Sequence, residues 1–168
     1  MCWIQTSDIF NLDETGLFWR AFPSKGYVQK GEKAHGTKIR KDRITLVLCC
    51  SMDGEKIMPT VIGKAEHPRA LRGIPKHMLR VQYSFNKKAW MTSKEFHSYL
   101  IWWNSKLAIQ DRKILLLVDN APGHPDVKMS HIKLAFLPKN TTSRLQPLDQ
   151  GIIQQVKTLY RKKLLNHI

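Results

Sequence analysis

Five consecutive apolar residues and then a carboxylate, Ile114-Leu115-Leu116-Leu117-Val118-Asp119, constrain this chain more than any other stretch. A run so short and so apolar reads as a buried strand over 113–119. It is stopped by the turn-rich loop Asn120-Ala121-Pro122-Gly123-His124-Pro125. Its last residue is charged, so Asp119 marks where the strand leaves the core. Ligand sites in open α/β sheets lie beside such carboxyl ends. A second near-continuous apolar run, Arg43-Ile44-Thr45-Leu46-Val47-Leu48-Cys49-Cys50, also implies a strand covered on both faces.

Other elements follow from local chemistry. Residues 9–13 read as a short strand ended by a Thr15-Gly16 turn. Residues 27–34 read as a further short strand after the turn-forming Pro23-Ser24-Lys25-Gly26. Asp53-Gly54 predicts a hairpin, with residues 56–62 returning. Pro59 cannot donate to a ladder, which places that return strand at an edge or a bulge. Residues 63–91 are basic and irregular, broken by Pro68, Gly73 and Pro75. Thr92-Ser93-Lys94-Glu95 fits a capping box, and Phe96, Tyr99, Leu100, Trp103 and Leu107 follow at helical spacing, as a core-facing stripe. A short helix over 126–130 and a strand over 132–137 come next. A last helix runs from about 148, with Ile152, Ile153, Val156, Leu159, Tyr160 and Leu164 on its apolar face. Strands first, then helix, strand, strand and helix, give one α/β domain over residues 1–168: a mixed sheet, antiparallel meander plus parallel strands, flanked by helices.

The charge balance narrows the partners. Lys plus Arg outnumber Asp plus Glu by 28 to 13, giving +15 in 168 residues, and such a surface favours a polyanion through counterion release. Three cysteines, Cys2, Cys49 and Cys50, form neither a disulfide framework nor a zinc pattern and read as reduced, buried thiols. No apolar run reaches the roughly 20 residues of a membrane helix.

Against that basic background, three aspartates are the candidate site. Asp13 closes Ile9-Phe10-Asn11-Leu12-Asp13, and Asp149 sits in Gln146-Pro147-Leu148-Asp149-Gln150-Gly151. Each has a structural alternative. Asp13-Glu14-Thr15-Gly16 also reads as a turn, Asp119 as an Asx-turn, and Asp149 as a first-turn carboxylate favoured by about 0.3–1 kcal/mol through the helix dipole. Glu14 lies on the opposite face of a strand from Asp13, so only one of them serves a common pocket. Asp13 is chosen because its two companions are also aspartates at element boundaries. Together the three suit Mg²⁺, which prefers carboxylate oxygens, and a pair of such ions suits in-line phosphoryl displacement. His35, His67, His77, His97, His124, His131 and His167 show no paired ligand spacing. His124, five residues after Asp119, either lines the same pocket or caps a turn.

Asn11-Leu12-Asp13-Glu14-Thr15-Gly16, Val118-Asp119-Asn120-Ala121-Pro122-Gly123-His124 and Leu145-Gln146-Pro147-Leu148-Asp149-Gln150-Gly151-Ile152-Ile153 resemble the three catalytic blocks of the pogo/Tigger branch of DDE transposases. The 30 positions from Asp119 to Asp149 are similar to that branch, whose third acid is aspartate. The resemblance implies a ribonuclease H-like endonuclease domain, with Asp13, Asp119 and Asp149 as catalytic residues holding two Mg²⁺ or Mn²⁺ ions. It also implies DNA (transposon ends or related sequences) as partner and a nuclear location, and it allows a homodimer. In the family, water attacks a phosphodiester and the freed 3′-hydroxyl attacks target DNA. Family proteins carry helix-turn-helix domains ahead of this one; none fits before Asp13, so the chain reads as a fragment or a decayed copy. A non-catalytic, domesticated DNA-binding or chromatin protein is the competing expectation, and a hydrolase of RNA–DNA hybrids a third.

Overall fold

The structure, a computed structural model, describes residues 4–21, 42–139 and 141–166. The strand expected over 27–34 and its preceding turn lie outside the described residues, as do Cys2, His35 and His167. Among the described residues six strands form one mixed sheet: β1 (Ile9–Phe18), β2 (Arg43–Ser51), β3 (Thr60–Gly63), β4 (Gln82–Phe85), β5 (Ile114–Val118) and β6 (Ile132–Phe136). Their spatial order is β4-β3-β2-β1-β5-β6. β1 with β2 and β2 with β3 are antiparallel; β1 with β5, β5 with β6 and β3 with β4 are parallel. This is the expected meander joined to parallel strands.

The long helix α1 (Ser93–Ile109) covers one face. Phe96, Tyr99, Leu100, Trp103 and Leu107 are its buried residues, so the aromatic stripe is core. Phe10 of β1 meets Trp103 edge to face at 5.0 Å between ring centroids. Each such side chain contributes about 1.5–3 kcal/mol by leaving water. Alternation along β1 then sorts its residues: Phe10 and Leu12 join this core, while Asn11, Asp13 and Thr15 are buried on the other face.

Several local expectations are corrected. β1 does not turn at Thr15-Gly16; it pairs with β2 as far as Phe18↔Arg43. Gly16 instead makes room for a neighbour, since a Cβ there would sit 2.9 Å from the Arg43 Nε. β3 is not an edge strand, because β4, unforeseen in the irregular segment, pairs with it and takes the edge. The missing Pro59 donor shortens β3 to Thr60–Gly63, while the Pro59 carbonyl accepts the Gln82 N–H at 2.9 Å. At the start of α1, Thr92 occupies the N-cap but its hydroxyl donates to the Glu95 carboxylate and caps no backbone N–H. The helix expected over 126–130 is absent. Val127 and Met129, two positions apart, both pack on the core, as an extended segment allows. Cys49 is buried but Cys50 is only half-buried.

The C-terminal part is also more broken than expected. A four-residue helix, α2 (Thr142–Leu145), and a 3₁₀ turn over Pro147–Asp149 precede α3 (Ile152–Leu165). Gly151, at φ +102, separates the turn from the helix, a left-handed backbone that glycine adopts without strain. Asp149 therefore belongs to the turn and not to the first turn of α3. Of the apolar residues on α3 only Ile153 is buried, and Ile152 and Leu159 are exposed.

Candidate active site

The site is built where β1, β5 and the Pro147–Asp149 turn meet. The parallel ladder pairs Asn11 with Leu117, and two residues further along each chain stand Asp13 and Asp119. The third block is fastened to β1 by a buried amide network. Asn11 donates from Nδ2 to the Leu117 carbonyl at 3.1 Å and to Gln146 Oε1 at 3.3 Å. Asn11 Oδ1 accepts the Leu148 N–H at 3.1 Å, and Gln146 Nε2 donates to the Leu12 carbonyl at 3.0 Å. Gln146 is fully buried. Two adjacent strands and the turn are thus locked together by side-chain amides, with Leu148 buried beneath.

That network sets Asp149 beside Asp13. Burial, then the charges of Asp149 and Glu14, push the Asp13 carboxyl up from 3.8 to about 7. The backbone N–H of Glu14, bonding Oδ1 at 2.7 Å, and the amide of Gln146, close by but not bonded to Oδ2, only partly offset this. Asp13 Oδ2 is buried and has no hydrogen-bond partner among the described residues. A buried carboxylate oxygen without a donor costs free energy unless a proton or cation joins it. Asp149 is exposed.

Asp119 has different company. Its Oδ1 accepts the Ala121 N–H at 3.1 Å, an Asx-turn as one alternative foresaw, and also meets His124 Nδ1 at 2.7 Å. The other ring nitrogen of His124 lies 2.9 Å from Glu14 Oε1. The imidazole is almost wholly buried and tilts over Phe96 at 4.5 Å between centroids. Burial opposes its charge, yet the bonds to Asp119 and Glu14 outweigh burial and carry its pKa to about 10. The same His124 bond, against opposing burial, holds the Asp119 carboxyl below its usual value.

Asp13 and Asp149 are therefore neighbours, and Asp119 stands at the adjoining strand end, drawn toward His124. Among the described residues no three His, Cys, Asp or Glu side chains converge closely enough to hold a metal ion. The unpartnered Asp13 oxygen beside a second carboxylate is nonetheless the donor chemistry a hard divalent cation requires. Two cavities, about 260 Å³ beside Thr60 and Gln82 and about 1000 Å³ beside Arg69 and Trp102, include none of the three aspartates in their linings. The acids thus lie outside both clefts.

Neither Glu14, expected on the far face of its strand, nor Gln146, which carries no motif of its own, is marked in the sequence as part of the site. A polar residue inside each otherwise apolar block was the available signal for the amide lock. Replacing Gln146 with alanine should strand the Leu12 carbonyl and half of the Asn11 amide, costing about 2–4 kcal/mol of stability in urea unfolding.

Residues 41–168 match the family described as DDE superfamily endonuclease. The chain belongs to that family. The matched stretch holds Asp119 and Asp149, and Asp13 lies ahead of it. This DDE domain is 39% identical over 160 residues to mouse Tigger transposable element-derived protein 4, covering 94% of the chain and 31% of that relative. It is 31% identical over 164 residues to human major centromere autoantigen B, covering 95% of the chain and 26% of that relative. The chain thus spans about a third or less of these relatives, and it is a pogo/Tigger-type DDE protein. The Mos1 mariner paired end complex with Mn superposes at a TM-score of 0.59 with 17% identity, covering 95% of the chain and 47% of that structure, which establishes the ribonuclease H-like fold.

Proposed function

We propose that this domain is a metal-dependent endonuclease that cleaves DNA phosphodiesters and transfers strands, with Asp13, Asp119 and Asp149 as its catalytic acids. The observation that carries the reading is the buried, unpartnered Oδ2 of Asp13 beside Asp149, two residues past the point where β1 and β5 pair. Asp13 and Asp149, with Asp119, would hold Mg²⁺ or Mn²⁺, which would lower the barrier to phosphoryl displacement by stabilising developing charge on oxygen. The protein's own part is positioning. Asn11 and Gln146 fix the third acid against the first, and Asp13 holds a proton near neutral pH until a cation replaces it.

A DNA substrate fits the charge. The +15 balance favours a phosphate backbone. Arg161, Lys162 and Lys163 are exposed on α3, the helix that follows directly from the Asp149 turn. In this reading the protein works in the nucleus; no described helix is long and apolar enough to cross a membrane. The test is nicking of supercoiled plasmid by the 168-residue chain in Mg²⁺ or Mn²⁺. Asp13→Asn, Asp119→Asn and Asp149→Asn should each lower the nicking rate by about 10²-fold or more. Equal nicking by the wild type and Asp119→Asn would overturn the proposal.

One observation favours a second reading, a DNA-binding protein without catalysis: His124 already neutralises Asp119. That reading expects salt-sensitive DNA binding, unchanged by EDTA and by all three aspartate substitutions.

A further inference from the structure

We infer that His124, braced by Glu14, is a positioning residue that turns Asp119 so that one carboxylate oxygen stays available to a ligand. The inference rests on the reading of Asp119 as an ion-holding acid.

Alternation along β1 sends Asp13 to the face closed by the Pro147–Asp149 turn and Glu14 to the face covered by α1. Glu14 therefore cannot join the acids directly. His124 connects it to them, because its two ring nitrogens reach Glu14 Oε1 at 2.9 Å and Asp119 Oδ1 at 2.7 Å. Flanked by two acceptors, both nitrogens donate. A ring held at both ends and packed over Phe96 has no freedom to swing.

The consequence falls on Asp119. Both of its side-chain hydrogen bonds, from Ala121 N–H and from His124, land on Oδ1. Oδ2 takes none among the described residues. Asp119 is the residue just beyond β5, where the ladder has ended and the backbone no longer dictates side-chain direction. The imidazole replaces the ladder in that task. Partners of this kind behind a ligand are worth roughly 10–100-fold in metal affinity.

Asparagine and glutamine separate the two halves of the ring. The amide introduced by His124→Asn would offer an N–H near the position of Nδ1 and keep the bond to Asp119. The longer amide introduced by His124→Gln would offer one near Nε2 and keep the bond to Glu14. Mn²⁺ affinity of the 168-residue chain, read from the electron paramagnetic resonance of free Mn²⁺, is compared for wild type and these two variants. Circular dichroism sets a temperature at which all are folded. Affinity in His124→Asn within about 3-fold of wild type, with His124→Gln weaker by about 10-fold or more, is the expected result. Equal affinity in His124→Gln and wild type, or equal loss in both variants, would overturn the role. Wild type that binds no Mn²⁺ would overturn both this inference and the metal-dependent reading; unweakened His124→Gln overturns the inference alone. If neither variant folds, His124→Phe decides, because it fills the space over Phe96 and leaves Asp119 Oδ1 with the Ala121 N–H alone: Mn²⁺ binding by the folded variant weaker by about 10-fold or more supports the role, and unchanged binding refutes it.

Discussion

Asp13→Asn should make the metal-free protein more stable while removing its response to divalent ions. Asp13 is 7% exposed, and its carboxyl is raised from 3.8 to about 7 by burial and by Asp149 and Glu14. A raised acid binds its proton more tightly in the folded state. Its contribution to stability is therefore complete below pH 3.8 and is lost as pH climbs through about 7. By about pH 8 the wild type has given up about 2–4 kcal/mol, which asparagine, never charged, does not lose. In EDTA the urea midpoints of wild type and variant should coincide near pH 3.5, draw apart as pH rises from 3.8 to about 7, and stay apart above it, with the variant higher. Added Mn²⁺ should then raise the midpoint of wild type and leave Asp13→Asn unmoved. A variant less stable than wild type in alkaline EDTA would mean that Asp13 is not strained by its surroundings.

His124 should dominate the alkaline side of the profile. Its pKa is carried from 6.5 to about 10 by Asp119 and Glu14 against the opposing effect of burial. A raised base stabilises the fold fully below pH 6.5 and loses that contribution as pH rises through about 10. The groups facing it are Asp119, Glu14 and the uncharged Phe96 ring. His124→Ala should cost about 3–5 kcal/mol near pH 6.5, because two partly buried carboxylates are left without their shared cation. The gap between variant and parent should close toward about pH 10. Measuring both in an Asp13→Asn background removes the titration of Asp13 from the comparison. A gap that stays constant across that range would show that the ring is neutral where it sits.

Legibility in the sequence varied with the range of the interaction that decides each feature. The strands over 43–50 and 113–119 and the stripe on α1 were readable because burial imposes its period on neighbours in the chain. β4 was not, since four residues between Pro75 and Asn86 carry too little pattern and its pairing partner lies 22 positions away. The Thr15-Gly16 turn fails for the same reason. A glycine there looks like a turn until Arg43, 27 positions later, is seen to occupy the space. Asp13 and Asp149 read in the sequence as strand-end and helix-start acids; Asp13 instead lies inside β1 and Asp149 in the 3₁₀ turn, and their adjacency depends on the Asn11–Gln146 contact between residues 135 apart.

What the chain settled by itself is chemical: a strong excess of positive charge, three aspartates that each follow an apolar residue, and apolar runs that must be buried. Such properties reside in residue type and short spacing. What tertiary structure alone decided is company: which acid stands beside which, that Glu14 reaches Asp119 through His124, and that one oxygen of Asp13 is left with no donor. Those depend on register between strands and on side chains meeting across more than a hundred positions, where no local pattern carries the information.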